Sequence, residues 1–142
     1  MRKRTLAREC TLKILYQREI TRRTLDMVFE SYWEFEEEPS AEDVKEFAAR
    51  LVFGIKEHMP TIDEKISQYA TNWQLKRMAI IDRNILRLGV FELFYAPDIP
   101  PKVTINEAVE LAKKYGDLES SKFVNGILDK IHKTEVTTQE KS

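Results

Sequence analysis

The 142-residue sequence carries 23 basic and 24 acidic side chains, so its net charge of −1 gives no overall attraction to a polyanion. Its single cysteine excludes an internal disulfide framework, and no window approaches 18 uncharged apolar residues, which argues against a membrane span and a secretory core. We therefore expect one domain in a reducing cytoplasm.

Charge is sorted by position along the chain. The first 23 residues carry a local charge of +6, whereas the next 23 contain nine acids and one base. Such an asymmetry favours nucleic-acid contact, although the two segments could equally neutralise each other on one surface. The basic side chains of the first segment are Arg2, Lys3, Arg4, Arg8, Lys13, Arg18, Arg22 and Arg23.

Helices should dominate, because the chain has four glycines, five prolines and no alternating β-branched runs. In the first helix, an apolar face is separated from a polar stripe of Arg4, Arg8 and Thr11 by the 3.6-residue period. This pattern predicts that the helix inserts into a bundle by its later turns. Its basic start would then stand at an exposed rim, within reach of phosphates.

The second clear helix opens at Ser40, where Ser40 and Asp43 resemble an acidic capping box before an apolar stripe that extends to Ile55. We interpret the acidic stretch Glu34–Glu38 as part of a solvated loop that precedes this helix, and the alternative is that it forms a docking patch. We expect this helix to stop before Pro60 and a second one to begin at a capping box starting with Thr61.

The third region is the most apolar. Asp82 follows two isoleucines in the position of an N-cap, which predicts a core helix from Arg83 to Tyr95. Prolines between 97 and 101 predict a stiff connection after it. Thr104 then opens a further predicted helix with a capping box, and Gly116 ends it in a position expected to need positive φ.

A last helix is predicted from about Glu119 to His132, with its apolar stripe made of Val124, Ile127, Leu128 and Ile131. Phe123 lies about 90° from the centre of that stripe. It therefore reads either as the edge of the core or, beside Lys122, as a platform for a stacked base.

Catalytic chemistry finds little support in the residue pattern. His58 and His132 read as helix-end residues and Cys10 as a small core residue. The sequence contains no zinc-type Cys/His spacing, no Gly-rich phosphate loop and no nucleophile elbow. Nucleic-acid recognition fits better, and single-stranded RNA better than duplex DNA, since arginine and aromatic side chains typically grip single strands.

Four blocks of the sequence resemble the NusB family of transcription antitermination factors. The blocks are Ala7–Glu9 with Leu15 and Tyr16, Asp82, Arg83 and Ile85–Leu88 with Glu92 and Leu93, Ile105–Lys113, and Lys122–Asp129. The resemblance implies an all-α fold of about seven helices in two packed sub-bundles, about 1–70 and about 71–133. It also implies a non-catalytic protein without a cofactor or a metal. The tail at 134–142 lacks an apolar period, and we expect it to fray.

The resemblance further implies that the protein binds the boxA element of nascent ribosomal RNA leaders together with NusE, a small-subunit ribosomal protein. The RNA polymerase elongation complex would be an indirect partner. The residues that it places against RNA are Arg2, Lys3, Arg4, Arg8, Lys122 and Phe123, and it raises Asp82 and Glu119 as partner or RNA contacts.

A second hypothesis comes from another class of protein. The chain could be a non-catalytic helical interaction module whose basic first helix pairs with an acidic partner. That partner could also be the Glu34–Glu38 segment of a second copy, which would give a homodimer. Salt-dependent, sequence-selective binding of a short RNA separates the two hypotheses.

Overall fold

Six α-helices account for most of the structure, a computed structural model that describes residues 2–35, 42–70 and 75–136. These ranges contain no strand, which confirms the predicted all-α class with about seven helical elements. The helices are α1 (Lys3–Thr21), α2 (Leu25–Glu34), α3 (Glu42–Tyr69), α4 (Ile80–Tyr95), α5 (Pro101–Tyr115) and α6 (Ser120–Ile131), with a 3₁₀ turn at Leu75–Arg77 and a π-helical turn at His132–Val136.

The chain forms two compact units, Met1–Glu57 and His58–Ser142, which are described one at a time below. The boundary falls within α3, earlier in the chain than the predicted division near residue 70. We call them the N-terminal unit and the C-terminal unit.

The core of the N-terminal unit is formed by α1, α2 and the part of α3 that ends at Glu57. Cys10 is buried among apolar side chains, which confirms its predicted role as a core residue. Phe29 of α2 packs edge-on against Phe53 and Trp33, with ring centroids 5.0 and 5.7 Å apart. The other buried apolar residues of α1 and α2 are Ala7, Leu12, Ile14, Leu15, Leu25, Val28 and Tyr32.

Helix α2 was not predicted, because its acidic residues obscure a short apolar period. Thr24 begins it as a true N-cap, accepting a hydrogen bond from the Met27 backbone N–H at 3.2 Å. Glu34 is its last helical residue instead of part of a loop. The rest of the acidic stretch, residues 36–38, and the predicted cap Ser40 lie outside the described residues.

Helix α3 runs unbroken through Pro60, so the predicted stop before that proline and the predicted start of a separate helix at Thr61 are both wrong. Proline removes one backbone hydrogen bond and usually ends a helix. Here Pro60 is on the exposed side, while Ile55 before it and Ile62 and Ile66 after it are fully buried in one continuous stripe. Burial of that stripe outweighs the lost hydrogen bond, which is a tertiary effect that local signals do not show.

The C-terminal unit is built around α4, which confirms the predicted core helix. The residues from Asn84 to Leu93 are all buried, and α4 contacts both α5 and α6. Two of its buried charged residues are hydrogen-bonded: Arg87 donates to both oxygens of Asp63, at 2.8 and 3.1 Å, and Glu92 accepts from the hydroxyl of Thr104 at 2.8 Å. These pairs satisfy polar groups that would otherwise be costly to bury.

The predicted start of α5 at Thr104 is wrong, whereas its predicted end at Gly116 is right and only the expected positive φ there is wrong. Helix α5 begins three residues before Thr104, with Pro101 in the first turn, where its missing N–H and fixed φ are favourable. Thr104 is therefore free to face Glu92 in the core. Gly116 has φ −94°, not positive, and its need for glycine is spatial, because a Cβ there would lie 2.4 Å from Ser120 Oγ.

The last helix is confirmed, with all four stripe residues from Val124 to Ile131 buried. The π-helical turn continues from α6, so the prediction that the tail frays from residue 134 is wrong for residues 134–136. Glu135 in this turn accepts hydrogen bonds from Lys65 at 2.7 Å and Tyr69 at 2.5 Å, and Val136 is buried. Residues 137–142 lie outside the described residues.

Of the two histidines that were predicted at helix ends, the structure places one there and one inside a helix. His132 is the C-cap of α6, as predicted. His58 lies inside α3, where its ring stacks on Tyr95 with centroids 3.8 Å apart, so its predicted position at a helix end is wrong. The continuous helix through Pro60 is the reason, since it leaves no end near His58.

Candidate nucleic-acid interface

The start of α1 gathers exposed positive charge. Arg2 is the N-cap residue, with extended backbone and no side-chain cap, and Lys3 and Arg4 follow it in the first turn. All three side chains are exposed, and the first turn contains no acid. Cations at a helix N-terminus face the positive end of the helix dipole, so they do not stabilise α1. An anionic ligand at this end would be attracted both by the basic side chains and by the positive end of the helix dipole.

Arg4 and Arg8 converge on one aromatic ring. Their guanidinium carbons lie 4.5 and 5.5 Å from the centroid of Phe47 on α3, close enough for cation–π attraction. Phe47 was predicted only as part of the buried stripe, and it is buried. The pairing of an α1 arginine stripe with an α3 aromatic needs the tertiary fold, so sequence reasoning missed it.

Arg8 does not stand on an exposed rim, and that prediction is wrong. Its side chain is only 1% exposed, and Thr11, one turn further along the same stripe, is fully buried. The polar stripe is covered because α3 lies against this side of α1, where Phe47 contacts the arginines and Asp43 pairs with Lys3. Thr11 is satisfied locally by donating to the Ala7 carbonyl at 2.9 Å.

An open hollow of about 420 Å³ lies beside these residues, and we call it the Phe47 hollow. Its lining residues are Lys3, Arg4, Asp43, Glu46, Phe47 and Arg50. The hydrogen bond from Lys3 Nζ to Asp43 Oδ2, at 2.8 Å, holds the pKa of Asp43 below its usual value. Both partners are well exposed, so a pair of this kind stabilises the fold little and can be exchanged for another anion.

A second hollow, of about 220 Å³, lies in the C-terminal unit, and we call it the Asp82 hollow. It is lined by Met78, Ala79, Asp82, Asp117, Glu119, Ser120 and Phe123. Two residues that the sequence singled out as contacts, Asp82 and Glu119, therefore share one surface with Phe123. Asp117 was missed by sequence reasoning, because nothing local distinguishes it from a turn residue.

Asp82 is not an N-cap. Helix α4 begins earlier, with Ala79 as its N-cap residue, and Asp82 lies within the first turn. Its side chain is only 9% exposed, and among the described residues Oδ1 has no hydrogen-bond partner. Burial raises the pKa of Asp82; the Ser120 hydroxyl partly offsets this, and the negative charge of Asp117 adds to it. The carboxylate can thus accept a hydrogen bond from a ligand or partner.

The remaining predicted contacts stand at the start of α6. Glu119 is its N-cap residue and is exposed, as is Lys122. Phe123 is half-buried, between the fully buried Val124 and the open side of the Asp82 hollow. Part of its ring can therefore serve the core while part borders open space. The Asp82 hollow is not arranged as a metal site, since no metal-holding group of three His, Cys, Asp or Glu occurs in the described ranges.

An all-α chain with exposed basic residues at one helix start and an arginine-covered aromatic ring has the features of a helical nucleic-acid-binding protein. The NusB family model matches residues 5–133. The chain therefore belongs to the NusB family. None of the helices in the described residues is long and apolar enough to cross a membrane.

Similar proteins are found among both sequences and solved structures. The transcription antitermination protein NusB of Myxococcus xanthus is 50% identical over 130 residues, covering 90% of this chain and 93% of that protein. T. maritima NusB has a TM-score of 0.87 at 40% identity, covering 99% of this chain and 96% of that one. NusB solved with NusE and double-stranded RNA has a TM-score of 0.84 at 32% identity, covering 94% and 98%.

Proposed function

We propose that this protein is an RNA-binding transcription antitermination factor that binds the boxA element of nascent ribosomal RNA leaders together with NusE. The observation that carries the proposal is the first turn of α1, which contains no acid and where Arg2, Lys3 and Arg4 are all exposed at the positive end of a helix. The ion pair of Lys3 with Asp43 is itself exposed and can be exchanged for a phosphate. Arginine and lysine at such a position attract phosphate. The family relationship supports the same function.

Within this proposal, RNA phosphates contact the exposed Arg2, Lys3 and Arg4. Arg8 acts beneath them, since its buried guanidinium lies over the Phe47 ring that Arg4 also covers. It thereby positions the ring and adds to the positive potential without reaching solvent itself. A relative solved in complex with NusE and double-stranded RNA supports the proposal that this protein binds RNA together with NusE.

The C-terminal unit supplies a second set of contacts in the proposal. Lys122 holds a phosphate, and the accessible part of Phe123 stacks on a base. Asp82 and Glu119, on the same hollow, accept hydrogen bonds from NusE or from the RNA. Asp82 suits this role because it lines the Asp82 hollow and its Oδ1 atom has no hydrogen-bond partner among the described residues.

The proposed role is stoichiometric and not catalytic, and it needs no cofactor. A factor that marks a nascent transcript works where transcription takes place, which in a bacterial cell is the cytoplasm. RNA polymerase is then an indirect partner, reached through the RNA and NusE.

A pulldown with labelled leader RNA, with and without NusE, tests the proposal. We expect boxA RNA to be retained, a scrambled RNA of equal length to be retained less, and NusE to increase the difference. A double-stranded version of the same sequence shows which form is preferred. Equal retention of boxA and scrambled RNA under every condition would favour the protein-interaction module instead.

A further inference from the structure

The side chain of Arg83, in the first half of α4, reaches back to the 3₁₀ turn that precedes this helix. Its Nη1 atom donates hydrogen bonds to the backbone carbonyls of Leu75, Lys76 and Met78, at 3.2, 3.4 and 3.5 Å. The sequence identified Arg83 only as the predicted first residue of the core helix. Its acceptors are backbone atoms, which leave no pattern of side chains that a sequence could show.

The 3₁₀ turn is a short element that needs support from outside itself. It has three residues and is closed by the hydrogen bond from the Met78 N–H to the Leu75 carbonyl, at 3.2 Å. Hydrogen-bond geometry is poorer in 3₁₀ turns than in α-helices, so they are used in short pieces. The N-cap residue of α4, Ala79, makes no side-chain cap. Arg83 therefore joins the turn to α4 from the helix side, with donors whose planar arrangement loses little entropy per hydrogen bond.

The end of this turn forms part of the Asp82 hollow. Met78 and Ala79 line the hollow together with Asp82 of α4 and Phe123 of α6, whereas Arg83 is not one of its lining residues. Helices α4 and α6 pack directly on each other, so their contributions to the hollow are fixed by the core. The position of Met78, which is only 6% exposed, also depends on the turn that Arg83 holds.

We propose that Arg83 is a positioning residue for RNA in the Asp82 hollow. It holds Met78 and Ala79 in the place that leaves room for the base stacked on Phe123, and it does so without touching the RNA. The inference rests on the proposed RNA-binding function. A binding surface that is already in its bound shape avoids the entropy cost of ordering a mobile segment when the ligand arrives.

The test begins with Arg83→Met, which removes every guanidinium donor and keeps an unbranched side chain. Arg23→Met is the matched loss of one arginine charge, at an exposed position outside the hollow. Hydrogen exchange of the Met78 amide is measured without RNA, and binding of single-stranded boxA RNA is titrated at several salt concentrations. We expect Arg83→Met to exchange faster at Met78 and to bind RNA several-fold more weakly than Arg23→Met. Arg83→Lys should recover most of the binding, because an ammonium group also donates to carbonyls.

Combination with Phe123→Ala separates positioning from a general loss of stability. If Arg83 acts through the hollow, Phe123→Ala has already removed the contact that it supports, so the two effects on RNA binding should not add. The effect of Arg4→Ala, a residue of the N-terminal unit outside this hollow, should add in full to that of Arg83→Met. Thermal melts of every variant confirm that folded proteins are compared.

The proposal is overturned if Arg83→Met binds RNA like Arg23→Met, or if its effect adds in full to that of Phe123→Ala. A salt slope lowered by about 0.7 with unchanged exchange at Met78 would make Arg83 a direct phosphate ligand, which also contradicts a positioning role. All these outcomes require that the unchanged protein binds boxA RNA. If it does not, the proposed function fails and the positioning role fails with it, whatever the exchange at Met78.

Discussion

Truncating Arg8 distinguishes a buried structural arginine from an exposed RNA ligand. Arg8→Ala removes a long side chain that is 1% exposed and that covers the Phe47 ring. Cutting a large buried side chain to alanine costs about 2–5 kcal/mol, because the removed atoms leave a cavity and lost contacts. At about 2–4 °C per kcal/mol, the melting temperature should fall by about 4–20 °C.

Arg4→Ala is the matched control, since Arg4 covers the same ring from an exposed position. An exposed cation–π contact contributes only about 0.5–1 kcal/mol, so this variant should melt close to the unchanged protein. Both are measured by circular dichroism melts in parallel with RNA titrations. An Arg8→Ala variant that melts normally but loses RNA affinity would refute the structural role and restore Arg8 as a direct ligand.

Three further predictions concern the C-terminal unit. Asp82→Asn should raise the melting temperature at pH 7 but leave it unchanged at a pH below about 3.9, the usual carboxyl pKa. The reason is that the pKa of Asp82 is raised in the folded protein, so ionisation of this carboxyl with rising pH lowers the free energy of unfolding. An unchanged melting temperature at pH 7 would contradict this prediction. Burial alone would raise the pKa of Glu135, but the hydrogen bonds from Lys65 and Tyr69 outweigh burial and lower it. Glu135→Gln should therefore reduce the free energy of unfolding by about 1–3 kcal/mol at pH 7, and by less as the pH falls through the lowered pKa. Glu110→Gln, at an exposed position, is the control. Phe123→Ala should weaken RNA binding by the folded protein by about 1–3 kcal/mol. Val124→Ala is the core control, and it should lower the stability while the folded variant binds RNA normally. A Phe123→Ala variant that loses stability but binds RNA normally would place Phe123 in the core.

Helix periodicity identified the central parts of the fold. The apolar positions of α4 from Ile85 to Leu93, the four-residue stripe of α6 and the core position of Cys10 follow from a 3.6-residue period, and each is buried in the structure. The helix ends were less predictable, because several residues can serve as a cap. Pro101 begins α5 in place of Thr104, and the continuous burial of α3 outweighs the helix-breaking tendency of Pro60.

The candidate site was only partly visible in the sequence. Exposed charge at the start of α1 follows from local composition, and Arg2, Lys3 and Arg4 are exposed as expected. The burial of Arg8 and its contact with Phe47 depend on where α3 lies against α1, which no local pattern encodes. The burial of Asp82 Oδ1 likewise depends on tertiary packing, so the sequence alone could not show it.

The measurement that bears most directly on the proposed function is the salt dependence of RNA binding by the unchanged protein. Fluorescence anisotropy with single-stranded boxA RNA and a scrambled RNA, each at several salt concentrations, separates electrostatic attraction from base selection. We expect boxA RNA to bind more tightly at every salt concentration, with a slope of several times 0.7 for several phosphate contacts. Binding that is independent of salt, or equal for the two RNAs, would contradict a sequence-selective RNA-binding role.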